Sequence, residues 1–117
     1  MFIGEVSKRT KLSVKAIRLY EEKGLIAAPK RKGVYRIYTE EHLEVLNLIS
    51  EAKALGVTLA EIKGVISYQN GKANWPEINK FLGVLKRRFE NELQKITTKI
   101  TKIETCISAI ESCAKTS

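Results

Sequence analysis

The segment Ser13-Val14-Lys15-Ala16-Ile17-Arg18-Leu19-Tyr20-Glu21-Glu22-Lys23-Gly24-Leu25-Ile26 decides the fold of this chain. Ser13 is a preferred N-cap residue, because its hydroxyl can accept a hydrogen bond from a backbone N–H that the first helical turn leaves free. Gly24 stands where a glycine commonly follows the end of a helix. The segment therefore predicts a helix between these two residues, and Ile17 and Leu25 are predicted core residues.

Five helices and one short extended segment account for most of the chain. The helices are predicted over residues 3–10, 13–23, 39–54, 58–68 and about 76–112, and the extended segment over 34–38. Thr39 and Thr58 are the N-caps of two of them, and Glu61 completes a capping box with Thr58. The basic run Lys30-Arg31-Lys32-Gly33 before the extended segment is predicted to be a flexible hairpin tip. The pattern is that of a mainly α protein.

Positive charge is concentrated in the first third of the chain. The formal net charge is +8 over 117 residues, and residues 1–38 hold ten Lys and Arg against three Glu. A basic block of this kind suits a polyanionic partner, because each neutralised phosphate releases condensed counterions. The other interpretation, a solvated face that only maintains solubility, stays open at this point.

The last predicted helix carries an apolar heptad seam. From Phe89 onward, spacings of four and three residues alternate through the seam, which consists of Leu82, Phe89, Leu93, Ile96, Ile100, Ile103, Ile107 and Ile110. A small domain cannot cover such a narrow seam along its whole length, so we expect it to bury against a copy of itself. A helix that folds back on its own domain is the alternative. Isoleucine at both core positions would also suit a parallel trimer or tetramer.

Three separated motifs in the first part of the chain share one likeness. They are Ile3-Gly4-Glu5-Val6, the segment 13–26 quoted above, and Tyr35-Arg36-Ile37-Tyr38. With these spacings, and with Arg18-x-Tyr20-Glu21 followed by Gly24-Leu25, the chain resembles the MerR family of transcriptional regulators. It departs from the family in the wing, where the usual Asn-Gly-Tyr-Arg is replaced by Gly33-Val34-Tyr35-Arg36 in a slightly shortened loop.

The resemblance implies a fold class and a mode of action. The fold class is a winged helix-turn-helix DNA-binding domain over 1–70, then a long antiparallel coiled-coil dimerisation helix over 76–112 and a short tail over 113–117. The family likeness implies a homodimer whose two recognition helices enter successive major grooves of a palindromic promoter. It also implies that the dimer bends and untwists an overlong spacer, so that RNA polymerase engages both promoter elements.

Nine residues are predicted to contact the DNA: Ser13, Lys15, Arg18, Tyr20, Arg31, Lys32, Tyr35, Arg36 and Tyr38. Lys15 and Arg18 lie three residues apart on the recognition helix, so both can face one groove. Arg18 either reads a guanine through a bidentate contact or binds only a phosphate, and both roles stay open. Tyr20 either presents its hydroxyl to a phosphate or packs half-buried. The resemblance places Tyr35, Arg36 and Tyr38 in the wing that contacts the DNA backbone.

The sequence assigns no effector and no cofactor, and DNA binding requires none. Cys106 and Cys113 invite comparison with metal-sensing relatives, yet seven helical residues separate them by about 10.5 Å, too far to share one ion. Structural thiols are the preferred interpretation, with a thiol- or metal-responsive regulator as the alternative. Tyr68, Trp75 and Phe81 either line a small ligand pocket or simply pack the hinge before the last helix.

Other classes of protein fit the sequence less well. No apolar run approaches the ~20 residues that a membrane span needs. The first five residues lack the pattern of a signal peptide, so a cytoplasmic location is expected. No nucleophile, base and orienting group occur at a motif spacing, so an enzyme is not expected. The remaining alternative is a basic coiled-coil protein that binds nucleic acid without sequence specificity.

Overall fold

The computed structural model describes residues 1–116, with side chains as far as residue 114. The chain forms two compact units, one from Met1 to Ile78 and the other from Asn79 onward. The first unit contains four helices and two small hairpins, and the second is the greater part of one long helix. The prediction of a mainly α, winged helix-turn-helix fold with a long C-terminal helix is confirmed.

The helix-turn-helix consists of α1 (Ile3–Thr10) and α2 (Val14–Glu22). Lys11 adopts a left-handed conformation with φ 60°, which ends α1 and turns the chain toward the next helix. The predicted N-cap of α2 is confirmed, because the Ser13 hydroxyl accepts a hydrogen bond from the Ala16 backbone N–H at 3.0 Å. Local sequence signals therefore set both ends of this motif.

The wing is the hairpin of β1 (Lys30–Lys32) and β2 (Tyr35–Ile37). Its register pairs Lys30 with Ile37, Arg31 with Arg36 and Lys32 with Tyr35. Gly33 has φ 64° and begins a two-residue turn, as a type II′ turn requires. The prediction that residues 30–33 form a flexible tip is wrong, because residues 30–32 are a paired strand and the tip is Gly33-Val34 alone.

Two further helices support the helix-turn-helix. The helix α3 (Glu40–Ala54) begins with a capping box in which Thr39 and His42 satisfy each other's backbone N–H groups. The helix α4 (Leu59–Val65) begins at the predicted cap, where the Thr58 hydroxyl accepts from the Glu61 N–H at 3.2 Å. The predicted extension of this helix to residue 68 is wrong, because the chain leaves the helix after Val65 and enters a second hairpin.

This second hairpin was not predicted from the sequence. It pairs β3 (Tyr68–Gln69) with β4 (Lys72–Ala73) in antiparallel register. Its turn is Asn70-Gly71, with φ values of 54° and 77°, the double left-handed geometry of a type I′ turn. An Asn-Gly pair is a strong hairpin signal, but strands of two residues are too short to show an alternating pattern.

The core of the first unit lies among α1, α2 and α3. Here α1 packs against α2 and α3, and α3 also contacts α4 and β4. The most buried large side chains are those of Val6, Ile17, Leu25, Tyr38, Val45, Leu46 and Ile49. The predicted core positions Ile17 and Leu25 are 0% and 1% exposed, so this prediction is confirmed.

The last helix, α5 (Trp75–Thr116), is 42 residues long. It begins close to the predicted start and continues beyond residue 112, so residues 113–116 of the predicted tail belong to the helix. Ser117 lies outside the described residues. The eight predicted seam residues, Leu82 to Ile110, all lie on this helix and are 37% to 69% exposed. The seam therefore has an apolar surface available along its length.

Candidate nucleic-acid interface

The outer face of α2 presents the predicted base-reading residues. Ser13, Lys15 and Arg18 are all exposed. An open groove of about 670 Å³ runs along this face, and Leu19 and Glu22 also line it. Because Ser13 caps the helix, the positive end of the helix dipole and the free N–H groups of the first turn lie beside two cationic side chains. This end of α2 is well suited to bind an anion.

The wing adds basic side chains on β1. Arg31 and Lys32 are exposed as predicted, and so is Lys30, which sequence reasoning placed only in the flexible tip. A paired strand holds these side chains at fixed positions, whereas a flexible tip would leave them mobile. The signal that identifies Lys30 is the three-residue basic strand itself, Lys30–Lys32.

Arg36 is tied to the recognition helix by an ion pair. Its Nε lies 3.0 Å and 3.1 Å from the two carboxylate oxygens of Glu21, and both side chains are largely buried. The pair joins β2 to α2, so it fixes the wing relative to the recognition helix. Arg31 lies directly opposite Arg36 in the hairpin register, where two like charges repel. The carboxylate of Glu21 offsets this repulsion.

Three arginines surround the ring of Tyr38. Burial raises the pKa of Tyr38 above its ordinary value, the charge of Glu21 raises it further, and the guanidinium groups of Arg36, Arg18 and Arg31 lower it. Each of these arginines is therefore close enough to act electrostatically on one buried phenol. The structure thus brings together, from α2, β1 and β2, residues that are up to 18 positions apart in the sequence.

The two tyrosines Tyr20 and Tyr38 are core residues, which corrects the prediction that they contact DNA. Tyr38 is 1% exposed, and its buried hydroxyl has no hydrogen-bond partner among the described residues. Tyr20 is 4% exposed, with the ammonium group of Lys53 5.9 Å from its ring centre. Tyr38 alternates in the strand direction with exposed neighbours, but α3 follows immediately and its His42 ring packs edge-on against Tyr38 at 5.5 Å.

Tyr35 remains on the surface, as predicted. Its side chain is 65% exposed, and its ring centre lies 5.8 Å from that of Phe2, which is 52% exposed. The backbone beside them is pinned, because Met1 and Tyr38 exchange two hydrogen bonds, of 2.7 Å and 2.8 Å. The exchange extends the wing by one residue pair beyond β2 and holds the start of the chain against it.

The loop between α2 and β1 is held by two residues that sequence reasoning did not assign to the site. The Tyr68 hydroxyl donates to the Leu25 carbonyl at 2.8 Å, and His42 Nε2 lies 2.8 Å from the Ala27 carbonyl oxygen. Burial raises the pKa of Tyr68 to about 12. Since Tyr68 belongs to the second hairpin, that hairpin supports the loop from which the wing begins.

The predicted ligand-pocket residues have structural partners. Tyr68 lines an open cavity of about 580 Å³ formed by residues 67–76. The Trp75 indole N–H donates to the Glu41 carboxylate at 3.2 Å, and the same oxygen accepts the Ala73 N–H at 2.9 Å. Phe81 belongs to the second unit. The roles of Tyr68 and Trp75 match the packing interpretation of these aromatic residues.

The two cysteines lie on α5, where both are exposed. The helix is continuous between Cys106 and Cys113, so the seven-residue spacing keeps the thiols about 10.5 Å apart along its axis. Within the described part of the chain, no group of three or more His, Cys, Asp or Glu side chains is arranged to hold a metal ion.

The model of the MerR HTH family of regulatory proteins matches residues 1–69, which is more than half of the chain. The chain belongs to the MerR family. The matched range holds the helix-turn-helix, the wing and most of the second hairpin. The resemblance inferred from the sequence motifs is thereby confirmed, and the chain is a DNA-binding transcriptional regulator of this family.

Curated relatives extend the similarity into α5. The transcriptional regulator CueR of Vibrio cholerae serotype O1 is 35% identical over 102 residues, which are 86% of this chain and 69% of that protein. A homologue of the regulator ZntR from Haemophilus influenzae is 36% identical over 102 residues, 86% of this chain and 70% of its own length. These relatives are regulators rather than enzymes.

A solved structure shows the same fold. It is the transcription regulator PbrR691 from Ralstonia metallidurans CH34, determined in complex with lead(II), with a TM-score of 0.54 and 24% identity. The alignment covers 96% of this chain and 83% of that one. Across the described helices of the present chain, none has the length and apolarity that a bilayer crossing requires.

Proposed function

We propose that two copies of this chain bind a palindromic promoter and distort its spacer, so that RNA polymerase can engage both promoter elements. Membership of the MerR family supports the DNA-binding part of this proposal. The dimer, the palindrome, the distortion and the contacts of individual residues are our own inference, and each rests on separate features of the two units.

The observation that carries the proposal is the convergence of α2 and the wing into one basic surface. Arg18 from the helix and Arg31 and Arg36 from the two strands all act on Tyr38. The surface extends to the exposed Lys15 on one side and to Lys30 and Lys32 on the other. A helix that enters a major groove beside a strand that follows the phosphate backbone is the docking geometry of winged helix-turn-helix proteins.

Within this surface, the proposal separates reading from positioning. Lys15 and Arg18 face the major groove, and Arg18 makes the bidentate contact that discriminates a guanine. Ser13, Arg31, Lys32 and Tyr35 contact the backbone, where they set the register without reading sequence. Arg36 acts through its ion pair with Glu21, which holds the wing at a fixed distance from α2.

Distortion of the spacer needs rigid coupling between the two reading elements. Bending a promoter site costs on the order of 1–10 kcal/mol, which added backbone contacts must offset. A mobile wing would lose part of this gain as ordering entropy. The Arg36–Glu21 pair, the Met1–Tyr38 exchange and the Tyr68–Leu25 hydrogen bond each remove freedom from the wing or from the loop that leads to it.

The proposal leaves the effector unassigned. Cys106 and Cys113 are exposed, but they lie two helical turns apart on one face of a continuous helix. No contact within the described residues gives either thiol a second ligand group at a distance suited to one ion. A thiol- or metal-responsive role is therefore an alternative that only binding measurements can support.

Competition between DNA fragments tests the proposal against nonspecific nucleic-acid binding. The full chain is bound to DNA fragments recovered from its own genome, and a palindromic fragment from that set then competes with random duplex of equal length. We expect the palindromic fragment to win by at least ~10³-fold at physiological salt. Equal competition would establish a nonspecific basic coiled-coil protein instead. The promoter spacer should also show enhanced cleavage at a bent step when the protein is bound.

A further inference from the structure

The flanks of the α5 seam carry charges in an ordered pattern. With Leu93, Ile100 and Ile107 at heptad position a, Glu92 and Lys99 occupy position g on one flank. Position e on the other flank holds Glu90, Thr97 and Glu104. Charges at these two positions decide which helices pair and in which orientation. The seam itself is exposed, so the flanks have the same access to a partner.

An antiparallel pair brings equal flanks together. The two-fold axis of such a pair is perpendicular to both helices and keeps each flank on its own side, so position g meets g and position e meets e. In a parallel pair, g meets e of the following heptad instead. The charge pattern therefore tests both the orientation of the helices and their register.

We propose that α5 pairs antiparallel with a second copy in one register, with the two-fold axis between Gln94 and Lys95. This inference rests on the proposed dimer and deepens it by naming the pairing. In this register Glu92 lies within about two residues, or ~3 Å along the axis, of the level of Lys99 in the second copy. Symmetry repeats the contact, so one dimer has two such ion pairs. Between the e flanks, Glu90 lies beside Thr97.

The same register fills the apolar seam. Each core layer of an antiparallel pair combines position a of one helix with position d of the other. The axis between residues 94 and 95 joins Leu93 with Ile96, Ile100 with Phe89, and Ile107 with Leu82 of the second copy. Every one of these side chains is 37% or more exposed in the single chain. The layers continue for about 25 residues, or ~38 Å of helix.

A shift by one heptad in either direction replaces attraction with repulsion. With the axis at Asn91, Glu92 meets Glu92 and Glu90 meets Glu90 of the second copy. With the axis at Thr98, Lys99 meets Lys99, and Glu90 meets Glu104 twice. Like charges directly opposite each other destabilise a pair by amounts similar to what opposite charges contribute. The charges therefore favour the middle register.

Lys86 disfavours a parallel pair. It occupies position a, one heptad before Leu93, and is exposed. In a parallel, in-register dimer the two copies of Lys86 would share one core layer. In the proposed register each Lys86 instead lies opposite Ile103, where its alkyl stem can pack and its ammonium group can reach water. A single polar residue at position a is a known determinant of register and orientation.

Charge-swap variants test the ion pairs. Glu92→Lys and Lys99→Glu are made separately in the full chain, with Lys102→Glu at the solvent-facing position c as the matched control. We expect each single variant to dimerise about tenfold more weakly in sedimentation equilibrium, because two attractive contacts become repulsive. An equal mixture of the two should form a heterodimer at the original affinity. If the mixture is as weak as its components, the Glu92–Lys99 pairing is refuted.

Disulfide trapping reads the register directly. In a chain with Cys106→Ser and Cys113→Ser, the variants Glu90→Cys and Thr97→Cys are oxidised by glutathione disulfide, alone and as a mixture. The proposed register predicts a disulfide mainly in the mixture, between position 90 of one copy and position 97 of the other. Self-linking of Glu90→Cys would indicate the axis at Asn91, and self-linking of Thr97→Cys the axis at Thr98. Either result overturns the proposal.

Sedimentation separates the failure of this inference from the failure of the dimer. If the chain is a dimer and neither the mixture nor the single variants form disulfides, the antiparallel register is wrong while the proposed dimer stands. If the unmodified chain is a monomer at concentrations that saturate its promoter, the proposed dimer itself fails.

Discussion

The two units of this protein solve the burial of their side chains differently. In the first unit, polar groups find partners inside the chain: Arg36 pairs with Glu21, Tyr68 with Leu25, and Glu41 with Ala73 and Trp75. In the second unit, the eight seam residues of α5 stay 37% to 69% exposed. The first unit is complete by itself, whereas α5 presents an apolar surface that needs a partner helix.

The difference teaches where each unit obtains its stability. Packing of an apolar face supplies most of the stability of a protein helix, and helix propensity alone is marginal. The helices of the first unit pack against one another around Ile17, Leu46 and Ile49, all fully buried. The outer turns of α5 have no such neighbours in the described chain, so association stabilises them. Dimerisation and DNA binding can therefore be disrupted separately, as the following variants test.

The largest effect is expected from Ile100→Asp combined with Ile107→Asp. Burial of an isoleucine contributes about 1.5–3 kcal/mol, and four are lost per dimer, in addition to the cost of burying charge. The dimer should weaken by at least ~10³-fold in sedimentation equilibrium, while the first unit stays folded. Thr98→Asp with Thr105→Asp, on the opposite face of the helix, is the matched control. A double seam variant that remains dimeric would refute the seam assignment.

The next effect is expected from Arg18→Ala in the recognition helix. A bidentate contact to guanine is worth about 1–3 kcal/mol of discrimination, so affinity for the cognate promoter should fall roughly 10- to 100-fold. Affinity for random duplex should fall much less. Lys102→Ala, on α5, serves as the charge control in the same anisotropy titrations. Equal losses on both DNAs would assign Arg18 to a phosphate contact.

A smaller effect of opposite sign is expected from Glu21→Gln. The substitution removes the charge that neutralises Arg36 at 3.0 Å but keeps a hydrogen-bond acceptor for its Nε. Affinity for DNA should rise at low salt, and the slope of log affinity against log salt should steepen by about 0.9 for each phosphate that Arg36 then contacts. Glu44→Gln on α3 is the matched control. An unchanged slope would show that Arg36 only positions the wing.

Tyr68→Phe should destabilise the first unit without touching the DNA surface. The loss of the hydroxyl leaves the Leu25 carbonyl without its 2.8 Å donor, at a cost of about 0.5–1.5 kcal/mol in denaturant unfolding. Burial raises the pKa of Tyr68 to about 12 from 10.0. The stability from the neutral phenol is thus complete below pH 10 and is lost as the pH rises toward 12. The variant should lose less stability than the native chain over this interval, and parallel curves would contradict the assignment.

The smallest effect is expected from Tyr38→Phe. The Tyr38 hydroxyl is buried without a hydrogen-bond partner in the described part of the chain, so its removal should change unfolding by between zero and a gain of ~1 kcal/mol. Promoter affinity should not change. Tyr35→Phe, at the exposed position three residues earlier, is the comparison, because a phosphate contact there would be lost. A marked loss of affinity in Tyr38→Phe would return this residue to the interface.

Local signals in the sequence were enough for the helix-turn-helix and for α5. The Ser13, Thr39 and Thr58 caps lie where they were predicted, because a cap depends only on the next three residues. The heptad seam is likewise a property of one helix, visible from spacing alone. The exposed site residues Lys15, Arg18, Arg31, Lys32 and Tyr35 also follow from the sequence, although their contacts with DNA stay predictions.

Tertiary structure decided the residues that depend on a distant part of the chain. Tyr38 could not be recognised as a core residue from the wing motif, because α3 and Met1 bury it. The role of Arg36 depends on Glu21, which lies fifteen residues earlier on another element. The hairpin at Asn70-Gly71 carries a local turn signal, but its use as a support for the Leu25–Ala27 loop depends on a contact across 43 residues. Spacing along one helix is written in the sequence, whereas the partner of a buried charge or hydroxyl is chosen only when the elements pack.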